Sequence, residues 1–159
     1  MSSADREAFE VRAVGWVRGG RTEPVDDAWG AVTSTIELDG AQLDPEAVRG
    51  LAGFSHVEVV FVFYRVAEAS VCRGARRPRG NPAWPEVGIL AQRARDRPNR
   101  IGTTVCRLVA VDPGRLTVIG LDAVDGTPVV DVKPYLPGFG PRGDVRQPAW
   151  AEELMAGYW

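Results

Sequence analysis

Two short segments concentrate the residue types that could do chemistry. The first reads Arg-Pro-Asn-Arg-Ile-Gly at positions 97–102, and the second reads Asp-Ala-Val-Asp-Gly-Thr-Pro-Val-Val-Asp-Val-Lys-Pro-Tyr at positions 122–135. They hold three aspartates, an asparagine, a tyrosine and the only lysine of the chain, punctuated by glycine and proline. Buried charges are costly unless they are paired, whereas a loop held by rigid turns can present such groups to a ligand. The pattern predicts a loop-built site; the alternative is a set of hairpin ends joined by salt bridges.

Several other chemistries are disfavoured by the sequence. It contains neither a P-loop nor a Gly-x-Gly-x-x-Gly string, which argues against a Rossmann-type methyltransferase or dehydrogenase. Ser55 and His56 are neighbours, so on a strand they point to opposite faces and cannot act together as nucleophile and base. His56 is the only histidine, and Cys72 and Cys106 are far apart without a Cys-x-x-Cys pattern. We therefore expect no metal and two free thiols.

The elements that must position the two segments are mostly short strands. Residues 9–17 and 31–38 alternate loosely between apolar and polar side chains, and residues 57–66 form the most apolar run. That run predicts a strand covered on both faces, by a barrel interior and by a packed partner or a second subunit. Short strands separated by turns predict an all-β fold, a single-domain antiparallel β-barrel spanning residues 1–159. Its remaining strands are expected at 87–92, 101–111 and 115–121, with an Asp-Pro-Gly turn at 112–114.

A few short helices are expected beside the barrel. One is predicted at 44–51, where an aspartate precedes a proline as N-cap and first helical residue. Another starts at Pro148, and its Trp150, Leu154 and Tyr158 fall at helical spacing as a packing stripe. The first seven residues carry charges of both signs without an apolar core, and no stretch approaches the ~20 apolar residues of a membrane span. These features predict a soluble cytoplasmic protein.

The distribution of charge is more informative than its sum. The formal net charge of -2 disfavours a protein that coats nucleic acid nonspecifically. Between positions 73 and 107, however, nine arginines face only Glu86 and Asp96, so this window carries about +7. It overlaps a glycine- and proline-rich loop at 70–86, and loops of that length are more often functional than idle. The window predicts a phosphate-facing stripe; the alternative is a solvated basic loop paired with acidic neighbours or a partner subunit.

With these motifs the chain resembles the S-adenosylmethionine-dependent tRNA N6-adenosine methyltransferase family, the β-barrel enzymes that methylate threonylcarbamoyl-adenosine 37 beside the anticodon. That family carries Arg, three residues, Arg-Pro-Asn, one residue and Ile-Gly, followed by Asp-x-x-Asp-Gly-Thr-Pro-x-x-Asp-Ile-Lys-Pro-Tyr. Here the first string begins at Arg93, the second has Val132 for Ile, and Gly-Phe-Ser-His-Val at 53–57 is a third match. The resemblance extends from about Phe9 to Pro137. It implies a homodimer that uses S-adenosylmethionine.

The resemblance also implies a cofactor site. Arg93 matches a cofactor-contacting arginine, Tyr64 stands at a pocket position that is usually His, and the loop at 120–122 recognises the adenosyl group through its backbone. The segment at 28–30 corresponds more loosely to the surroundings of the methionine portion. The full set of expected cofactor-binding residues is Trp29, Gly30, Phe63, Tyr64, Arg93, Gly120, Leu121 and Asp122.

Methyl transfer from a sulfonium asks the protein for alignment and, if necessary, one base, because the donor is already activated. Carboxylates, a lysine and a phenol can orient the acceptor or take up its proton. The expected catalytic residues are Asp125, Asp131, Lys133 and Tyr135. The expected RNA-binding residues are Arg76, Arg77, Arg97 and Asn99.

The chain departs from the family pattern at two positions. Asp96 replaces a basic or neutral residue, and Arg100 replaces the usual proline after Asn99. The chain also ends soon after the barrel, which is expected of short archaeal-type members without an additional C-terminal domain. The predicted function is N6-methylation of threonylcarbamoyl-adenosine 37 in the tRNA anticodon loop. Two alternatives are methyl transfer to a small molecule or another RNA position, and a non-catalytic RNA- or ligand-binding barrel.

Overall fold

The structure, a computed structural model, describes residues 7–159. The N-terminal segment whose composition disfavours a signal peptide lies, except for Glu7, outside the described residues. Within the described range the chain forms strands, one α-helix and several 3-10 turns. They are β1 (Gly15–Arg18), β2 (Thr33–Leu38), β3 (His56–Val62), β4 (Ala75–Arg76), β5 (Val87–Gly88), β6 (Ile101–Asp112), β7 (Arg115–Ile119), β8 (Pro128–Pro134) and α1 (Ala149–Met155).

Six of these strands close into an antiparallel barrel in the order β1-β2-β7-β6-β3-β8, with β8 pairing back to β1. β4 and β5 form a separate two-stranded sheet within the arginine-rich region. The expected all-β barrel is therefore confirmed. Its rim supports the loops that carry the candidate residues.

Alternate residues of each strand fill the barrel interior. On β3, Val57, Val59 and Phe61 point inward and are almost completely buried, where they pack against inward residues such as Ile36 and Val118. Full burial of an aliphatic side chain of this size stabilises the fold by roughly 1.5–3 kcal/mol relative to exposure. The apolar interior makes a rigid frame for the rim.

The predicted strand at 57–66 is shorter than expected and only one of its faces is fully covered. β3 ends at Val62, and its outward residues Glu58, Val60 and Val62 are half-buried. The alternation arises because β3 pairs with β6 on one side and β8 on the other, which leaves its second face outside the barrel.

β8 corrects the interpretation of positions 122–135 as turns and bends. Residues 128–134 form a strand that pairs with both β1 and β3 and closes the barrel. Prolines at both ends and polar residues on the outer face make this sequence look like a loop. Its inward Val129 is fully buried and supplies the core contact that fixes the strand.

Other boundaries also differ from the expectations. The strand predicted at 9–17 is confined to Gly15–Arg18, and the one predicted at 87–92 is the short β5 followed by a 3-10 turn. The helix predicted at 44–51 is a pair of 3-10 turns separated by Gly50, whose φ of 85° breaks the helical path. The β6–β7 hairpin is confirmed, with Gly114 in the left-handed region at its turn. Helix α1 starts after Pro148 as predicted.

None of the helices among residues 7–159 has the length and apolar character needed to cross a bilayer.

Candidate functional site

The Asp122 carboxylate is the centre of a polar cluster at the barrel rim. Its Oδ1 accepts a hydrogen bond from the Thr104 hydroxyl on β6, and its Oδ2 accepts one from the Tyr158 hydroxyl beyond α1. Both donors are at least partly shielded from water, so the carboxylate is held by two charge-assisted hydrogen bonds rather than by a cation. This arrangement fixes the orientation of Asp122.

The environment of Asp122 keeps its neighbours protonated. Burial, followed by the charge and hydrogen bond of Asp122, raises the pKa of Tyr158, and the nearby Arg93 and Arg79 oppose that shift only in part. Burial and the Asp122 charge raise the pKa of the Cys106 thiol from 9.0 to about 12. At neutral pH both groups are therefore neutral, and Asp122 is the acceptor of the cluster.

The segment at 157–159, which follows α1, lies along residues 28–30. The Ala28 amide donates to the Gly157 carbonyl at 2.9 Å, and the Trp29 amide donates to the Tyr158 carbonyl at 2.8 Å. Gly30 is required by this contact, because a Cβ there would lie 2.7 Å from the backbone carbonyl carbon of Trp159. The segment therefore forms part of the rim beside Asp122.

Residues 120–122 meet the same rim from the other side. Gly120 has a φ of 84°, its amide donates to the Val32 carbonyl at 3.0 Å, and a Cβ on it would lie 3.7 Å from the Gly30 carbonyl oxygen. The Leu121 side chain is fully buried in the core, so only its backbone faces the rim. The structure thus brings Gly30 to Gly120 and Asp122, which lie about 90 residues later in the sequence.

Trp29 and Arg93 extend this group. The Trp29 side chain is almost fully buried, its Nε1 donates to the Val25 carbonyl at 3.0 Å, and the Arg21 guanidinium lies 4.6 Å from its ring centroid. Arg93 is exposed, and its Nη2 donates to the Thr103 carbonyl at 2.5 Å, next to Thr104. Among residues 7–159 its other nitrogens make no hydrogen bond, so they can serve an anionic ligand.

Tyr64 and Phe63 belong to a different part of the rim. The Tyr64 hydroxyl donates to the Asp125 carbonyl at 3.0 Å, and Arg65 Nε donates to the same hydroxyl at 3.1 Å. Phe63 packs edge-on against Phe61, with ring centroids 5.3 Å apart. These hydrogen bonds and ring contacts lie away from the Asp122 cluster.

The expected catalytic residues fall into separate groups. Asp125 Oδ1 accepts from the Gly19 amide at 2.9 Å, which pins the β1–β2 loop. Asp131 and Lys133 form an ion pair of 2.5 Å on the outside of β8. Tyr135 joins the end of β3 through its amide, which donates to the His56 carbonyl at 3.0 Å. Hydrogen bonds and ion pairs among residues 7–159 do not join these residues into one constellation.

A β-bulge explains the outward direction of Asp131 and Lys133. In the β3–β8 register Phe61 pairs with Val129, but Val60 pairs with Asp131, so Val130 is the extra residue. An extra residue reverses the inside–outside alternation beyond it. The two charged residues consequently share the outer face with Glu58 and Val60 instead of entering the core.

The expected RNA-binding arginines are partly engaged within the protein. Arg76 forms a two-pronged ion pair with Asp96, whereas Arg77 donates to the Trp84 and Pro82 carbonyls. Arg97 donates to the Gln92 carbonyl at 2.5 Å. Asn99 is exposed in a 3-10 turn with a φ of 64°, a left-handed conformation that asparagine tolerates.

Backbone carbonyls accept from arginines throughout this region. Each such bond ties a loop that has little regular structure of its own. Within the window at 73–107 the donors are Arg77, Arg93, Arg95, Arg97 and Arg100, and Arg21 and Arg65 outside it donate in the same way. The stripe therefore has a structural role in addition to any role in binding.

Sequence reasoning missed Thr104 and Tyr158 as partners of Asp122. The Tyr158 prediction is corrected, because α1 ends at Met155 and Tyr158 lies beyond the helix that was expected to carry it as a packing residue. The sequence signal that could have revealed Tyr158 is the aromatic pair Tyr158-Trp159, which follows the short helix α1. Cys72 and Cys106 are free, and no group of His, Cys, Asp and Glu within residues 7–159 is arranged to hold a metal ion.

Comparison with known proteins agrees with this fold. The chain is 45% identical over 98 residues to the tRNA (adenine(37)-N6)-methyltransferase of Escherichia coli, which covers 58% of this chain and 40% of that protein. It is 32% identical over 148 residues to a "probable S-adenosyl-L-methionine-binding protein" of Pyrococcus abyssi, covering 89% and 76%. A crystal structure of TrmO from Pseudomonas aeruginosa superposes with a TM-score of 0.74 at 30% identity, covering 92% of this chain and 63% of that one.

The chain thus spans less than half of its Escherichia coli relative. Residues 24–140 match the family model of the tRNA-methyltransferase O N-terminal domain. This range contains every residue expected in the site, from Trp29 to Tyr135, and stops before Tyr158. With a match over most of its length and the same barrel, the chain belongs to the tRNA-methyltransferase O N-terminal domain family.

Proposed function

We propose that this protein is an S-adenosylmethionine-dependent methyltransferase that N6-methylates threonylcarbamoyl-adenosine 37 of tRNA. The observation that carries the proposal is the convergence of Gly30, Gly120 and Asp122 at one rim of a barrel whose relatives are named as adenine-37 methyltransferases. Gly30 lies far along the matched range from Gly120 and Asp122, which are two residues apart. The β2–β7 ladder brings Gly30 beside Gly120, and the hydrogen bonds of Thr104 and Tyr158 fix the Asp122 carboxylate at the same place.

The donor set fits the cofactor. Asp122 keeps unused lone pairs after accepting two hydroxyls, and these suit the hydroxyl or amino donors of an adenosyl group. The Arg93 guanidinium suits the carboxylate of the methionyl part. Backbone groups at 120–122 and 28–30 complete the proposed cofactor site. When bound, S-adenosylmethionine supplies a methyl group already activated by a positively charged sulfur.

Phe63 and Tyr64 remain proposed members of the cofactor site on the grounds of resemblance. The Tyr64 hydroxyl bonds to the Asp125 carbonyl, so Tyr64 would approach the cofactor from the Asp125 side of the rim. Asp125, Asp131, Lys133 and Tyr135 remain the proposed residues that orient the acceptor and take up its proton. Asp125, the Asp131–Lys133 pair and Tyr135 contact different parts of the protein. We therefore assign orientation of the acceptor and uptake of its proton to different members of this set.

Arg76, Arg77, Arg97 and Asn99 are the proposed tRNA contacts. Arg77 and Arg97 have no acidic partner among residues 7–159, whereas Arg76 is paired with Asp96. Phosphate contacts depend on uncompensated positive charge, so we assign the larger share of binding to Arg77 and Arg97.

We also propose a homodimer formed through the outer face of β6 and its neighbours. The outward Ile101, Val105 and Val109 are 45%, 42% and 51% exposed, and they alternate along the outer face of β6 with Thr103 and the exposed Arg107. Glu58 on β3 pairs with Val105, and Lys133 lies beyond it on β8, so the same outer face carries opposite charges that a two-fold related copy can complement. Light scattering should give the mass of a dimer, and Val105→Lys should give a monomer. A monomeric parent chain would refute this part of the proposal.

The test of the activity is transfer of labelled methyl from S-adenosylmethionine to small RNA from a host deleted for the gene, with mass spectrometry of the nucleosides. We expect label in a hypermodified adenosine, which would also agree with the proposed cytoplasmic location beside tRNA. Label in no RNA, despite cofactor binding measured by calorimetry, would refute the tRNA acceptor.

A small-molecule acceptor is the second candidate, and one observation favours it. Most arginines of the basic window already have partners inside the protein. The same labelled cofactor offered to a metabolite extract would distinguish the two acceptors.

A further inference from the structure

The segment at 157–159 is firmly attached to the rest of the protein. Two backbone hydrogen bonds join it to Ala28 and Trp29, and the space above Gly30 is filled by the backbone of Trp159. The preceding helix α1 is tied to the arginine-rich region, because Trp84 Nε1 donates to Glu153 Oε2 at 2.7 Å. Because the segment is bonded to residues 28–29 and the helix before it is bonded to Trp84, the segment forms a fixed wall of the rim.

Tyr158 is the part of this wall that reaches the Asp122 carboxylate. Thr104 and Tyr158 occupy one oxygen each, so together they fix rotation about the bond that carries the carboxylate. A carboxylate has about four acceptor positions, and each oxygen therefore retains one for a ligand. A carboxylate oriented before binding avoids the entropy loss of ordering it when the ligand arrives.

We propose that Tyr158 is a positioning residue that holds Asp122 ready to accept hydrogen bonds from the adenosyl group of the cofactor. This inference rests on the proposed function. It adds a residue outside the matched range 24–140, and it makes the segment at 157–159 an integral part of the cofactor site. The neutral phenol suits this role because it donates a hydrogen bond without neutralising the carboxylate.

The test is calorimetric titration of the full chain and its variants with S-adenosylmethionine. Tyr158→Phe removes only the hydroxyl, and we expect binding to weaken about tenfold, as for the loss of one hydrogen bond to a charged group. Thr104→Val removes the other donor and should act in the same direction. Thr35→Val is the matched control, because that hydroxyl bonds to the Arg18 carbonyl on the outside of the barrel and should leave affinity unchanged.

A double-mutant cycle separates positioning from general structural damage. If Tyr158 acts through Asp122, then adding Tyr158→Phe to Asp122→Asn should weaken binding by less than about twofold, because the oriented group is already gone. Thermal melting of the same proteins reports any loss of stability, which would not by itself produce this non-additivity.

Four results would overturn the inference. Unchanged affinity in Tyr158→Phe would show that the hydroxyl is not needed, and tighter binding would show that the segment at 157–159 blocks the site. Full additivity in the cycle would show that Tyr158 does not act through Asp122. If the parent chain itself does not bind the cofactor, the proposed function fails and this inference fails with it; parent binding with an unaffected Tyr158→Phe variant defeats this inference alone.

Discussion

The ammonium of Lys133 lies 2.5 Å from the carboxylate of Asp131, two residues earlier on the same outward face of β8. The pairing exists because the bulge at Val130 sets both residues outside the barrel. The hydrogen bond and the charge of Asp131 raise the pKa of Lys133. The only lysine of the chain is therefore an ammonium group at physiological pH and a donor rather than a base.

Substitution of this lysine tests whether its donor geometry matters. Lys133→Arg keeps the charge but replaces a compact ammonium with a planar guanidinium. If Lys133 orients the acceptor, kcat/KM for methyl transfer should fall about tenfold with little change in the melting temperature, since the side chain is exposed. Parent-like turnover would mean that the lysine has no positioning role.

Stability should decrease at alkaline pH because of Cys106. Its pKa is about 12 in the folded protein and 9.0 ordinarily, so between these values only the unfolded chain releases the proton. The free energy of unfolding should therefore fall as pH rises above 9, by at most about 1.4 kcal/mol per pH unit from this group. Urea unfolding at pH 8, 9 and 10 measures the slope, and Cys106→Ala should flatten it. An equal slope in both proteins would contradict the assignment.

Gly30→Ala tests the contact between residues 28–30 and the segment at 157–159. The new methyl would lie 2.7 Å from the Trp159 backbone, and relieving such a clash costs about 1–3 kcal/mol. We expect lower stability and faster proteolysis after α1. Gly40→Ala is the matched control, because a Cβ there meets open space. Equal effects of the two substitutions would show that the segment does not depend on Gly30.

Salt dependence distinguishes the arginines of the basic window. If tRNA phosphates contact Arg77, then Arg77→Ala should weaken binding and reduce the slope of log K against log salt by about 1. Arg76→Ala should change the slope less, because Asp96 already compensates Arg76. Filter binding with small RNA at several salt concentrations provides the measurement. Identical parent slopes in both variants would remove this window from the RNA interface.

The sequence predicts the barrel well where strands are local neighbours. The β6–β7 hairpin follows from apolar alternation around an Asp-Pro-Gly turn, and its partners are adjacent in the chain. β8 is missed because its pairing with β1 and β3 is distant in sequence and its prolines and charges resemble a loop. The motif glycine at 102 has a packing reason that no local pattern reveals: a Cβ there would lie 2.7 Å from the Phe61 ring.

The site is predictable to a similar extent. Resemblance leads to Gly30, Gly120 and Asp122, and the structure brings them together. It does not lead to Tyr158, which lies outside the matched range and meets Asp122 only through the folded chain. It also gives no indication that Asp131 and Lys133 turn outward, because one extra residue in a strand leaves no mark on composition.

The pairing of β1 with β8 also determines when the protein can finish folding. Gly15 pairs with Val129, so the contact that closes the barrel joins positions separated by nearly the whole matched domain. During synthesis, β1 and β3 leave the ribosome with strand edges that have no β8 to pair with. Closure is consequently a late event, and a chain truncated before Pro128 exposes those edges to other nascent chains.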